Sequence, residues 1–263
     1  MNNFQRENKS IFISGGATGI GKETARRMLS RGWTVGCYDI VPVEWGPEAA
    51  HLPGTLVTGH LDVRNWSDWE AALSDFTSHT GGTLDAFFNN AGVIIDGPLA
   101  EQDPDRIQWL VDINAVGATY GAKACHPYLK RTKDSVMVSM CSASAISGQP
   151  DVSTYSASKF YVKGLTEALA LEWAKDRIRV HDLMPLWAKS KISEVNAKSI
   201  NTLGVKLVPD DIAEVAEKVF TTTNPIMRRR MHFSVSRPDR ILKIGSDFAP
   251  DMLRHYVSKV LVG

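Results

Sequence analysis

The chain has 263 residues, 43% of them hydrophobic, and its 30 lysines and arginines nearly cancel its 29 aspartates and glutamates. That length can bury one full core, and an α/β chain of this size commonly stays a single domain. The balanced charge gives no broad field for nucleic acid or an anionic membrane, which leaves a small molecule as the expected partner. The first residues, Met1 to Lys9, hold no apolar signal core, and no apolar run of about 18 residues follows, so a cytoplasmic protein is expected. Cys37, Cys125 and Cys141 are widely spaced and lack metal-ligand neighbours. They are expected to be reduced thiols, with neither a disulfide framework nor a zinc site.

Short β-branched or apolar runs alternate with longer helical patterns from Ile11 to about Phe233. This alternation predicts a doubly wound α/β (Rossmann) fold, a parallel sheet of about seven strands with helices on both faces. Strands are predicted at 10–14, 34–39, 55–61, 84–89, 136–141, 179–184 and 231–235. Ile20, Ala25, Met28 and Leu29 begin the first helix; Trp69, Ala72, Leu73 and Phe76 repeat at helical spacing behind an Asn65 cap. Asp103 and Pro104 open a helix expected to reach about Arg131. Another carries Tyr155 and Lys159 toward Lys175, and Ile212, Val215, Ala216 and Val219 stripe a later one behind Pro209. Residues 186–208 form the longest stretch without an assignment and are read as a lid. The tail, 237–263, mixes Ile241, Leu242, Phe248, Leu253 and Tyr256 with five lysines or arginines, an amphipathic pattern suited to docking on its own or a neighbouring subunit.

After the first predicted strand the chain reads Ser14-Gly15-Gly16-Ala17-Thr18-Gly19-Ile20-Gly21-Lys22, a glycine-rich turn running straight into a helix. Glycines allow a tight turn and close approach of a pyrophosphate, and the helix start offers unpaired N–H groups. The spacing Gly15, Gly19, Gly21 departs from G-x-G-x-x-G, and such a loop can be a plain turn. Its strand-turn-helix setting, with Asp39 closing the next strand, favours a dinucleotide site. Asp39 can accept from both ribose hydroxyls and would repel a 2′-phosphate, and no lysine or arginine occupies Thr18, Ile40 or Val41. NAD(H) is therefore expected over NADP(H). Tyr155 and Lys159 are four apart, which places a phenol and an ammonium on one helix face. A fixed cation there is expected to lower the phenol's pKa and make its proton movable. Taken alone, such a pair is as well explained by two exposed side chains.

Taken in order, these residues resemble the short-chain dehydrogenase/reductase family over nearly the whole chain. The resemblance rests on the loop from Gly15 to Gly21, on Asn89-Asn90-Ala91-Gly92, on Asn114, on Ser142 thirteen residues before Tyr155, and on Lys159. It implies hydride transfer between NAD(H) and a ketone or secondary alcohol. In the roles it implies, Tyr155 is the acid in reduction and the base in oxidation, and Ser142 holds the substrate oxygen. Lys159 would tune Tyr155 and bind the nicotinamide ribose, while Asn114 would fix a relay water. The implied cofactor contacts are Gly15, Ala17, Thr18, Gly19, Ile20, Gly21, Asp39, Asp62 with Val63 at the adenine, Asn90, Ala91, Gly92, and Ser190 at the carboxamide.

The chain departs from the family pattern in Leu186, which follows Pro185 where a glycine is usual, and in His181 and Asp182 of the sixth strand. The expected pocket wall, 93–98, 143–152 and the lid residues Trp187, Ile192, Val195, Ile200 and Leu203, suits a moderately hydrophobic substrate. The resemblance also implies a homodimer or homotetramer built on the long helices flanking the fifth strand. The competing reading is a catalytically silent nicotinamide-binding regulator of the same fold. A nucleotide-sugar epimerase shares the Tyr-x-x-x-Lys pair but carries a different glycine spacing and a larger C-terminal region.

Overall fold

Short segments buried on both faces, such as Ser10–Ser14, Ala86–Asn89 and Val136–Met140, are what a sheet covered on both sides requires, and they form its central strands. The computed structural model describes residues 9–189, 200, 202, 204–238, 240, 241 and 245. The strands are β1 (Ser10–Ser14), β2 (Thr34–Asp39), β3 (Thr55–His60), β4 (Ala86–Asn89), β5 (Val136–Met140), β6 (Arg179–Leu183) and β7 (His232–Phe233). All pair in parallel, in the order β3-β2-β1-β4-β5-β6-β7. Strand order reverses between β1 and β4, so the crevice beyond their carboxyl ends is where a doubly wound sheet binds ligands. The register puts Ser14 beside Asn89 and Asn89 beside Ser139 at that edge.

The helices are α1 (Gly19–Ser30), α2 (Trp66–Ser78), α3 (Pro104–Val111), α4 (Ala118–Leu129), α5 (Ser153–Glu172), α6 (Pro209–Thr221) and α7 (Pro225–Arg229). On one face Ile11, Ile13, Val35, Phe88 and Val138 pack against Met28, Leu29, Ile212 and Val219 of α1 and α6. On the other, Phe12, Phe87 and Met137 meet Trp69 and Phe76 of α2 and Cys125 and Leu129 of α4. Outside the core, α1 and α6 are bridged by Arg27, whose guanidinium meets Asp210 at 2.8 Å and Glu217 at 2.9 Å. The three cysteines are free and buried. Among the described residues no helix is long and apolar enough to cross a membrane, and no cluster of metal-ligating side chains occurs.

Three local expectations are revised. The helix expected from Asp103 to about Arg131 is divided by a π turn, Asp112–Gly117, between α3 and α4. Two close approaches pin that turn: the Asn114 amide bonds both backbone groups of Val93, and a Cβ on Gly117 would come within 2.8 Å of Val63. Asn65 precedes α2 but its side chain makes no capping bond, whereas Asp103 accepts from Asp105 N. The last strand shrinks to His232 and Phe233.

His181 and Asp182 make that edge: His181 Nδ1 bonds the Arg230 carbonyl at 2.7 Å, and Asp182 Oδ2 meets His232 Nδ1 at 2.8 Å. Burial pushes the His181 ring down to about 4, so it is neutral, and pushes the Asp182 carboxyl upward. Of the lid, Ala188 bridges Leu207, while Ser190, Ile192, Val195 and Leu203 lie outside the described residues, as does the tail at 242–244 and 246–263.

Candidate active site

Backbone spacing makes the glycine turn what it is. Gly15 and Gly19 have φ of 69° and 56°, a left-handed region that penalises a Cβ. A Cβ on Gly21 would overlap the Gly15 carbonyl oxygen and come within 2.8 Å of Asn90 Nδ2. Asn90 explains the crowding: its amide donates to Ser14 O at 3.1 Å and Gly15 O at 2.9 Å, tying the turn to the Asn-Asn-Ala-Gly segment after β4. Thr18 precedes α1 with no side-chain capping bond, and the first turn of that helix carries no acid. The helix start therefore presents N–H groups to the cavity, the arrangement that binds phosphate. Asp39 accepts from Ala17 N at 3.0 Å and from Val41 N at 3.3 Å, which fixes its carboxylate at the end of β2.

One cavity of about 620 Å³ joins this turn to the far group of predicted residues. Gly15, Thr18, Gly19, Ile20, Asp39, Asp62, Val63, Asn90, Ala91, Gly92, Ser142, Tyr155 and Lys159 all line it. Ala17 is buried behind Asp39, and Gly21 packs beneath the turn. Asn114 stands behind the wall, where a Cβ on Gly92 would meet its Oδ1 at 3.3 Å and Lys159 Nζ at 3.5 Å. The residues present fit a dinucleotide: a glycine cradle at a helix start, an acid at the end of β2, and a continuous cleft past both.

At the other end, α5 delivers Tyr155 and Lys159 to the same side, 6% and 4% exposed. The Lys159 ammonium donates to Met140 O at 2.8 Å and lies 5.5 Å from the Tyr155 ring centroid. Ser142, at the end of β5, donates to Ser144 Oγ at 3.2 Å, accepts from Ser144 N at 3.1 Å, and lies beside Tyr155, whose phenol it acts on. Burial dominates the electrostatics here. It raises the Tyr155 phenol well above its ordinary value, against a smaller downward pull from Ser142, and it lowers Lys159 to about 8. The expected downward shift of Tyr155 by Lys159 is thus overturned: the phenol is held protonated, because both groups have left water and the ammonium is turned to Met140 O. Asn114 has both amide hydrogens engaged, Nδ2 donating to Val93 O and Ser158 Oγ, and its Oδ1 accepts from Val93 N at 2.9 Å.

Several lining residues were not singled out from the sequence: Arg64, Trp109, Ile113 and Lys189. Leu186 lines the cavity too and packs on Cys141, Ala143 and Ile146. Its φ is not positive, so the leucine that replaces the usual glycine is accommodated without left-handed strain.

A family model described as short chain dehydrogenase matches residues 9–200. The chain belongs to the short-chain dehydrogenase family. It is 30% identical over 208 residues to a 3-alpha-(or 20-beta)-hydroxysteroid dehydrogenase of Mycobacterium tuberculosis, covering 79% of this chain and 75% of that one. With the meso-2,3-butanediol dehydrogenase of Serratia marcescens the identity is 28%, over 80% and 86% of the two chains. Among solved structures, the 3-ketoacyl-(acyl-carrier-protein) reductase from Brucella melitensis complexed with NADH matches with a TM-score of 0.76 at 25% identity, over 86% of this chain and 96% of that one. As a member of this family the chain is an oxidoreductase, and nothing in these relatives supports the silent regulator.

Proposed function

We propose that the chain transfers a hydride between NAD(H) and a moderately hydrophobic ketone or secondary alcohol, with Tyr155 as its proton donor and acceptor. The observation that carries this reading is the convergence of Ser142, Tyr155 and Lys159 with the glycine turn on one cavity. Bound along that cleft, the dinucleotide would supply the hydride. A phenol kept protonated by burial is set to donate to a substrate oxygen as carbonyl becomes alkoxide, and Ser142 Oγ beside it would hold that oxygen. In the reverse direction Tyr155 would take the proton back. Lys159, buried with one carbonyl partner, would offer its remaining N–H groups to the nicotinamide ribose. The π turn at Asn114, a helix irregularity common at functional sites, would support a relay water from Lys159 through its backbone, since the side chain is already engaged.

The preference for NAD(H) rests on Asp39 and on the engagement of two nearby cations. Lys22 donates to Glu44 O and lies over Trp45, and Arg64 is bonded to Asp62. Neither faces a 2′-phosphate without breaking those contacts. Asp62 and Val63 would receive the adenine, Asn90, Ala91 and Gly92 the adjoining ribose, and Ser190 the carboxamide. The wall formed by Val93, Ile94, Trp109, Ile113, Leu186 and Trp187 supports an apolar substrate. Exposed Phe160, Tyr161 and Leu171 on α5 support a dimer or tetramer joined there. Three buried free cysteines suit a cytoplasmic setting.

The test is a panel of ketones and alcohols followed by nicotinamide absorbance with both cofactors. Turnover with NADH above NADPH is the expected result, and tight binding of NADH with no turnover on any substrate would favour the regulator.

A further inference from the structure

The carboxylate of Asp62 is held in a way that the resemblance does not imply. Its Oδ1 accepts from Arg64 N at 3.0 Å and from Arg64 Nε at 2.9 Å; its Oδ2 accepts from Nε at 3.1 Å and from Nη2. Its own N–H donates to Asp68 Oδ2 at 3.1 Å, so the backbone beneath it is fixed as well. An ionised carboxylate has about four acceptor positions. Three N–H donors make these four contacts, because the single Nε hydrogen is shared between the oxygens and lies nearer Oδ1, so one acceptor position on Oδ2 is left to a further donor. Asp62 is 8% exposed and Arg64 is partly exposed, and both line the cavity with Ile40, Leu61 and Val63. The guanidinium also pulls the Asp62 carboxyl below its ordinary range, against the upward push of burial. An ionised carboxylate locked in one rotamer, with one free acceptor position, discriminates between a ring amino group and a ring carbonyl.

We propose that Arg64 is a positioning residue that locks Asp62 as an acceptor for the exocyclic amine of the cofactor's adenine, so that the site selects adenine over hypoxanthine. This rests on the reading of Asp62 as the adenine contact. An amine fills the last acceptor position, whereas the hypoxanthine carbonyl brings oxygen against carboxylate oxygen and leaves both unpaired. Without Arg64 the carboxylate is buried with its neighbours unchanged: His60 at the end of β3, Asp68 on α2, which meets His60 at 3.5 Å, and Asp112 at the π turn, which acts on Arg64. Those three remain in every variant, so their effects cancel in the comparison. What changes is that Asp62 keeps the backbone N–H of residue 64 but loses the guanidinium that holds its second oxygen, so it takes up a proton more readily as pH falls.

The experiment compares Kd values for NADH, reduced nicotinamide hypoxanthine dinucleotide and reduced nicotinamide mononucleotide, from nicotinamide fluorescence between pH 5 and 8. The proteins are the parent, Arg64→Ala, Arg64→Lys and Asp62→Asn. The parent is expected to prefer NADH over the hypoxanthine form by about tenfold or more, as for a site that hydrogen-bonds a specific group, with a flat pH profile. Arg64→Ala should bring the ratio within about threefold, roughly the effect of one ordinary hydrogen bond, and make NADH affinity fall toward pH 5. Mononucleotide affinity should stay unchanged. Arg64→Lys keeps the charge without the fork, so it should restore the flat profile but not the full ratio; it carries the test if the alanine variant does not fold. Retention of the parent's ratio and flat profile in Arg64→Ala and Arg64→Lys would overturn the role of Arg64. A parent that does not distinguish the two dinucleotides, with Asp62→Asn equal to it, would instead overturn the adenine reading beneath it.

Discussion

Replacing Lys159 by methionine should make the protein more stable at neutral pH while removing its activity. Lys159 is 4% exposed, and its ammonium donates to Met140 O. Burial takes its pKa from an ordinary 10.5 to about 8, so holding the charge in the fold at pH 7 costs roughly 3 kcal/mol. Methionine has a similar shape and no charge. It removes that penalty and gives up one charged hydrogen bond worth about 1.5–3 kcal/mol. The net gain is up to roughly 1.5 kcal/mol, a rise of up to about 6 °C in Tm for a chain of this size. The sign follows from proton binding. Between about 8 and 10.5 the unfolded chain holds more protons on this residue than the folded one, so the stability of the parent rises with pH across that window. The advantage of Lys159→Met must therefore shrink over the same window and vanish or reverse above it. Thermal unfolding of both proteins at pH 7, 8.5 and 10 measures this. A variant less stable than the parent at pH 7, with a Tm difference that does not move with pH, would refute the burial argument.

Tyr155→Phe removes only the hydroxyl, so turnover should fall by at least about 10²-fold while the Kd for NADH stays within about twofold; steady-state rates and fluorescence titration check both, and near-normal turnover would remove Tyr155 from the chemistry. Asp39→Ala should raise the NADPH-to-NADH ratio of kcat/KM by about tenfold or more, through loss of charge repulsion and of the ribose acceptor. An unchanged ratio would mean that Asp39 only ties down Ala17 and Val41. Gly21→Ala drives a Cβ into the Gly15 carbonyl; relief of that overlap should cost about 1–3 kcal/mol and weaken NADH binding. Parent-like melting and affinity would show that the turn yields freely.

The strand pattern and the glycine turn were legible because they are local: apolar runs, turn residues and a helix start all lie within a few positions of one another. Tyr155, Lys159 and Ser142 were legible through their spacing along the chain. What escaped depends on partners far away in sequence. The π turn at Asp112–Gly117 is set by Val93 and Val63, neither of which its own periodicity can report. Arg64 is two residues from Asp62, yet only the fold shows that it faces the cleft and encloses that carboxylate. The same is true of His181 and Asp182, which read as oddities in a buried strand until the short β7 supplies Arg230 O and His232.

The pKa of Tyr155, opposite in direction to the expectation, shows what spacing leaves out. Helical periodicity gives proximity of a phenol and an ammonium, and in water proximity alone would favour the phenolate. Desolvation acts on both groups at once, disfavouring the charged form of each, and is the largest cause of both shifts. A resting site with a protonated phenol has a proton in place for a substrate oxygen that becomes an alkoxide, a stronger base than the phenolate, although the upward shift itself makes Tyr155 a weaker acid than a phenol in water. It can accept one only when further positive charge or alkaline pH favours the phenolate. Burial thus acts on both residues of this site, lowering Lys159 and keeping Tyr155 protonated, so the pH dependence of stability at Lys159 and the protonation of Tyr155 report on the same dry surroundings.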